Sequence, residues 1–174
     1  VERIRLGSLE PVIVTEDFVR LLKETPVCPQ FHLALQSGSD SVLRRMKRGY
    51  NTTQFMAAVE RIRAAWPTAA FTTDVIVGFP GETEEDFVET MRFAEECGFA
   101  KMHIFPYSKR KGTPAEKMPN QIIEAEKEKR AARLGELDEK LFRACLEQSV
   151  GTEGEVLFVQ MESAYLTASI ASFA

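Results

Sequence analysis

Acids, amides and glycines recur in this chain at one kind of place, just after a short apolar run. Glu10 follows RIRLGSL; Gln36, Ser37 and Ser39 follow FHLAL; Gly78 and Glu82 follow DVIV; Tyr107 and Ser108 follow MHIFP. Carboxylates and amides hydrogen-bond hydroxyl and amino groups, and glycines let backbone approach a ligand closely. Such a set suits a polar small molecule. Asp74 stands apart, inside a run of β-formers, where a carboxylate needs a partner and is either a satisfied structural acid or a ligand contact. His32 and His103 are the two histidines, and with no third ligand at a helical offset they predict no zinc site.

The element that must position these residues most directly is 70–83, AFTTDVIVGFPGET. Phe71, Val75, Ile76 and Val77 form a strand-like apolar run; Thr83 caps a helix whose first turn holds Glu84, Glu85 and Asp86, where the helix dipole favours negative charge. Between them, Gly78 and Gly81 allow a tight turn and Pro80 stiffens it. The same strand-then-helix pattern surrounds this unit. Arg3–Gly7 reads as a strand, and Thr15 caps a helix to Lys23 with Phe18, Leu21 and Leu22 at core spacing. Phe31–Leu35 is the next strand, followed by a short helix with Val42, Leu43 and Met46 that stops at Gly49. Thr52 or Thr53 caps a helix with Phe55, Val59 and Ile62 on one face, ended by Pro67. The helix after Thr83 carries Phe87, Met91 and Phe93 to a stop at Gly98, and Lys101–Phe105 is the fourth strand. After a polar loop, a long charged helix spans Asn120 to Gln148, with Leu134, Leu137, Leu141, Cys145 and Leu146 as its apolar stripe. Its alternating Glu124, Glu126, Glu128 and Lys127, Lys129, Arg130, Arg133 read as a solvated, salt-bridged surface.

Alternating strands and helices predict parallel βαβ units with right-handed crossovers, an α/β fold whose strand ends form one ligand-holding rim. The 174 residues, 44% hydrophobic and 28% charged, suffice for one domain with a core. The net charge of −4 excludes a global basic field, though not a local one. No signal peptide or bilayer-length apolar run is present, and Cys28, Cys97 and Cys145 lack metal-ligand spacing, so they read as buried, reduced thiols of a cytoplasmic protein. Val1 and a beginning on a strand predict a piece of a longer protein.

The succession RLGSLEP, HLALQSGSDSVLRRMKRGY, TTDVIVGFPGETEEDF and HIFPYSKRKGTPA resembles the radical S-adenosylmethionine (SAM) methylthiotransferase family, over about Arg3 to Ala115. The SLEP and HLALQSG forms are most similar to the branch that acts on N6-threonylcarbamoyladenosine in tRNA; branches acting on isopentenyladenosine or a ribosomal protein are the alternatives. The resemblance implies a partial (β/α)6 TIM-like barrel of about four parallel strands with a long helix over 1–150, and the start of a TRAM-like β module over 151–174. It implies SAM as cofactor, two [4Fe–4S] clusters in the parent protein and tRNA as partner, with no membrane. The CxxxCxxC loop and the further cysteines that such clusters need are not among these residues, so the fragment by itself is expected to bind no cluster and to be inactive.

For the cofactor, the resemblance implies contacts from Glu10, Gln36, Ser37, Arg48, Asp74, Gly78 and Tyr107. Arg48 would face the methionine carboxylate; Glu10, Gln36 and Asp74 the amino and ribose groups; and the backbone near Val77, Gly78, Pro106 and Tyr107 the adenine. Lys109, Arg110 and Lys111 would meet RNA phosphates. No residue is singled out as catalytic. An open barrel edge is expected to pair with another chain. Two other classes fit the rim: a phosphate-handling barrel lyase, which lacks an evident strand-end lysine here, and a non-catalytic RNA-binding domain, which would dispense with Glu10 and Asp74. A CxxxCxxC shortly upstream of Val1 would decide for the radical enzyme.

Overall fold

The computed structural model describes residues 1–151; the β module expected over 151–174 lies, but for its first residue, outside them. Four parallel strands pair in chain order: β1 (Ser8–Leu9), β2 (Gln30–Leu33), β3 (Ala70–Val77) and β4 (Lys101–Pro106). Helices α1 (Glu16–Lys23), α2 (Asp40–Arg45), α3 (Thr52–Ala65), α4 (Glu84–Cys97) and α5 (Glu124–Ser149) connect and flank them. This is the α/β parallel sheet that the alternation predicts.

Burial alternates along β3. Phe71, Thr73, Val75 and Val77 are buried against the helices, while Thr72, Asp74 and Ile76 are only half-buried. One face of the sheet is therefore covered and the other open. The covered face holds the core: Phe31 and Leu33 of β2, Phe55, Val59 and Ile62 of α3, Phe87 and Ala94 of α4, and Leu134 of α5, all essentially inaccessible. Phe55 meets Phe93 and Phe99 edge-on at centroid separations of 5.9 and 6.1 Å, the geometry aromatic quadrupoles prefer.

The first strand departs from expectation. Within Arg3–Gly7 only Ile4 bridges Val27, and the ladder resumes when Ser8 pairs with His32. Four residues advance on one side against five on the other. Pro29 lies in the longer segment and has no N–H for a ladder, so the pairing breaks there. In α1, Val19 and Leu22 are buried and Leu21 is exposed instead.

Two stop signals also differ. Helix α2 ends not at Gly49 but at Lys47, whose φ is +58°. The Arg48 N–H reaches Leu43 O and the Lys47 N–H reaches Arg44 O, the paired closure of a Schellman turn. The N-cap of α3 is Asn51, one residue before the predicted threonines; its side chain accepts from the Gln54 N–H (2.8 Å) while Gln54 accepts from the Asn51 N–H (3.0 Å). Thr83 and Gly98 cap α4 as predicted, with Gly98 at φ +58°.

Candidate functional site at the strand ends

Arg48 owes its place to the Schellman turn, which fixes its backbone immediately beyond α2. Its Nε is buried and has no hydrogen-bond partner, a cost unless something outside the described residues meets it. Tyr50 is its neighbour, donating to Ala34 O at 2.6 Å. Burial pushes the Tyr50 hydroxyl up to about 12, with the Arg48 charge opposing and the Glu10 charge adding to the rise. Glu10 and Arg48 thus lie close enough to act electrostatically on the same phenol. Glu10 itself is exposed, just past β1.

Gln36 extends the β2–β3 pairing beyond the end of β2. Its N–H donates to Asp74 O (2.8 Å) and its carbonyl accepts from the Ile76 N–H (2.9 Å), at φ +65°. A non-glycine residue in the left-handed region carries about 1–2 kcal/mol of strain. Its side-chain amide has no hydrogen-bond partner among the described residues. Ser37 is fully buried; its hydroxyl meets Thr90 Oγ1 at 3.2 Å and accepts from the Ser39 N–H. Its hydroxyl is spent on building the loop.

The turn after β3 is committed internally. The Gly78 N–H donates to Glu82 Oε1 (3.0 Å), and Glu82 is ion-paired with Arg130 Nη1 at 2.7 Å, both side chains buried. Burial pushes the Glu82 carboxyl up, against the Gly78 N–H and Arg130, which favour its charge. Gly78 holds φ +73°, and a Cβ there would lie 2.4 Å from Lys127 Cγ. A glycine read as a ligand approach is thus required by a lysine. Asp86 accepts from Ser39 (2.7 Å), Ser41, the Thr83 N–H (3.0 Å) and Arg45 (2.8 Å). Burial would raise its carboxyl, but the hydrogen bonds from Ser41, Thr83, Ser39 and Arg45 hold it far below the usual carboxylate range.

Lys127 and Arg130 make the ion pairs along α5 that the alternation predicts, with Glu124 and Glu126, but they are buried rather than on the surface. Lys127 Nζ donates to Tyr107 O (2.9 Å) and Glu124 (2.7 Å) and lies 5.6 Å from the centre of the Tyr107 ring. The ring stands edge-on to Phe79, and the buried Tyr107 hydroxyl has no partner. Lys109, Arg110 and Lys111 follow on an exposed loop.

The Asp74 side chain is placed by two histidines. It points along the open face of the sheet, Oδ2 lying 3.3 Å from His32 Nε2 and Oδ1 lying 3.3 Å from His103 Nδ1. The sequence reading found no third ligand for two histidines. Parallel register supplies it, because Asp74 pairs directly with His103 and lies two residues beyond Thr72, the partner of His32.

The cysteines stand apart from the rim. Cys97 is buried at the end of α4, its thiol pushed up to about 12 by burial, and burial also raises Cys145 on α5. Cys28 precedes β2. Cluster iron needs thiolates grouped on one centre, and these three do not fit that group.

Comparison with known proteins bears on the fold and the family. The chain is 50% identical over 162 residues to a tRNA-2-methylthio-N(6)-dimethylallyladenosine synthase of Thermobifida fusca, covering 92% of this chain and 33% of that protein. It is 44% identical over 160 residues to the enzyme of the same name from Nocardia farcinica, covering 91% and 32%. The chain therefore spans about a third of the length of these relatives. Coproporphyrinogen III oxidase of Escherichia coli, a radical SAM enzyme, shares the fold with a TM-score of 0.64 at 18% identity, over 78% of this chain and 32% of that one. Residues 2–94, more than half of the chain, match the profile of the Radical SAM superfamily, and the chain belongs to that superfamily.

Proposed function

We propose that this chain supplies part of the SAM-binding barrel of an enzyme that adds a methylthio group to an N6-substituted adenosine of tRNA. The observation that carries the reading is the unpaired, buried Arg48 Nε, near a phenol on which the Glu10 charge also acts, in a superfamily that uses SAM. An orphaned guanidinium nitrogen fits a carboxylate, and SAM carries one. Arg48 would hold that carboxylate, and Glu10 and the free amide of Gln36 would meet the amino and ribose groups. The unpaired Tyr107 hydroxyl and the backbone beside it would bound the adenine. When bound, SAM supplies the radical that activates the substrate carbon. Of the work left to the protein, the residues present would do a part, with the clusters held elsewhere in the parent: Arg48 would fix one end, Glu10 and Gln36 would orient the ribose, and the Gly78–Glu82 turn would keep the strand ends in place. Lys109, Arg110 and Lys111 would meet tRNA phosphates on the same side.

The names of the relatives support dimethylallyladenosine as the substrate and give no support to the threonylcarbamoyl branch that the SLEP and HLALQSG forms resemble. The parent would be a cytoplasmic enzyme, and no helix of the described residues is long and apolar enough to cross a membrane. Two measurements test the reading in the full-length protein. Arg48→Ala should weaken SAM binding by on the order of ten- to a hundredfold, the loss of one charge-assisted hydrogen bond, with thermal stability little changed; unchanged affinity refutes the assignment. Mass analysis of tRNA nucleosides from a deletion strain should show loss of the methylthio group from dimethylallyladenosine. Loss from threonylcarbamoyladenosine alone would move the substrate to the other branch.

A further inference from the structure

We infer that His32, Asp74 and His103 form a binding site for one divalent transition-metal ion of the zinc class on the open face of the sheet, separate from any iron–sulfur chemistry. The three residues come from adjacent strands, and each presents one ligand atom within 4.8 Å of the others.

The spacing favours a metal over a simple hydrogen-bonded cluster. A charge-assisted N–H···O contact normally closes to about 2.7–2.9 Å, whereas both His–Asp contacts are 3.3 Å. Tetrahedral zinc with bonds of about 2.0–2.1 Å sets its ligand atoms roughly 3.3–3.4 Å apart. Each His–Asp contact is as long as such an edge, and because the two run to different carboxylate oxygens, a small turn of the carboxylate would bring one oxygen to both nitrogens. The imidazoles are also poised by their surroundings. His32 Nδ1 is 3.0 Å from Thr72 Oγ1, which accepts from Gln30 Nε2 (3.2 Å), and Gln30 Oε1 accepts from Arg5 (2.9 Å). With Nδ1–H donating to Thr72, Nε2 keeps its lone pair toward Asp74, the outer arrangement that metal-bound histidines use.

Charge and access agree. Two neutral imidazoles and one carboxylate give a site of charge −1, and the nearby Lys101 is committed to Asp138. The His103 side chain is 54% exposed, so an ion can enter and a further coordination position faces the open side. Mixed nitrogen and oxygen ligands suit Zn2+, Co2+ or Ni2+ better than Ca2+ or Mg2+.

The test is equilibrium dialysis of the full chain against Zn2+ and Co2+, with metal counted by mass spectrometry, in a background with Cys28, Cys97 and Cys145 alkylated or replaced by serine. One equivalent should bind. His103→Ala and His32→Ala should each weaken binding by at least about tenfold, and Thr72→Val, which touches only the outer arrangement, by roughly ten- to a hundredfold. Circular dichroism of His103→Ala, an exposed position, establishes that the variant folds. The cobalt spectrum should show nitrogen and oxygen ligation without a thiolate charge-transfer band. Absence of binding, binding equal in His103→Ala, or binding abolished only by cysteine blockade would each overturn the site and leave a histidine–carboxylate hydrogen-bond cluster. None of these results bears on the SAM assignment, which rests on Arg48 and Glu10.

Discussion

The turn after β3 and the corner around Tyr50, where the charges of Arg48 and Glu10 both act, sit at the same end of the sheet, yet they differ in how their polar groups are spent. In the turn, Gly78, Glu82, Thr83 and Asp86 are all bonded to the protein, through Arg130, Arg45, Ser39 and Ser41. In the corner, Arg48 Nε is buried and unpaired, and the Gln36 amide is free within the described residues. The motif richest in glycine and acid is scaffold, while residues scattered over three loops retain bonding capacity for a ligand. A glycine motif signals a backbone constraint, and the constraint need not come from a ligand.

The largest effect that would break this contrast is expected at Arg130. Arg130→Ala strips the partner from buried Glu82 and should cost about 3–5 kcal/mol in urea unfolding; a cost near that of Arg48→Ala, under about 1 kcal/mol, would erase the distinction. Next comes Gly78→Ala, whose Cβ meets Lys127 Cγ and whose φ is positive. Overpacking of about 1–3 kcal/mol adds to left-handed strain of about 1–2 kcal/mol. Because Lys127→Ala removes the atom that the new Cβ strikes, the double variant should lose less stability than the sum of the two single losses; a strictly additive loss would separate the two.

Asp86 sharpens the comparison through pH. Its folded carboxyl lies below the ordinary value of about 3.9, so its contribution to stability is present above that value and is lost as pH falls through the folded one. Asp86→Asn should flatten the acid limb of stability and cost about 1.5–3 kcal/mol at neutral pH; an unaltered acid limb would remove Asp86 from the scaffold. The smallest effect is expected at Gln36. Gln36→Gly relieves the positive φ and should change stability by less than about 1 kcal/mol, while SAM affinity falls by roughly tenfold. Unchanged affinity would place Gln36 with the scaffold.

Much of the fold was legible because it rests on local signals. Thr15, Thr83 and Gly98 mark helix ends by chemistry visible in sequence, and the apolar runs of β2 to β4 locate strands within one or two residues. Gly49 misled because a glycine is only the commonest left-handed residue, and Lys47 adopts that conformation here. The buried charges of α5 were hidden for another reason. Lys127 and Arg130 look solvated until the Tyr107 carbonyl, 20 residues away, meets the first and Glu82, 48 residues away, the second, and no spacing rule announces such pairings. The His32–Asp74–His103 grouping was missed likewise, since its ligands lie across strands and metal spacing was sought along a helix.

Helix α5 touches the sheet through three polar anchors: Lys127 at the Tyr107 carbonyl, Arg130 at Glu82, and Asp138, which receives the Met102 N–H at 2.6 Å on the outer side of β4. Lys127 and Asp138 are eleven residues apart, close to three full turns, and so share a face over about 16 Å. The helix therefore works as a ruler laid from the start of β4 to its end. Inserting one residue between those anchors would swing the distal one by about 100°, leaving either the loop after β4 or the Met102 N–H without its tether. Length between Lys127 and Asp138 is thus under tighter constraint than the identity of the exposed residues it contains.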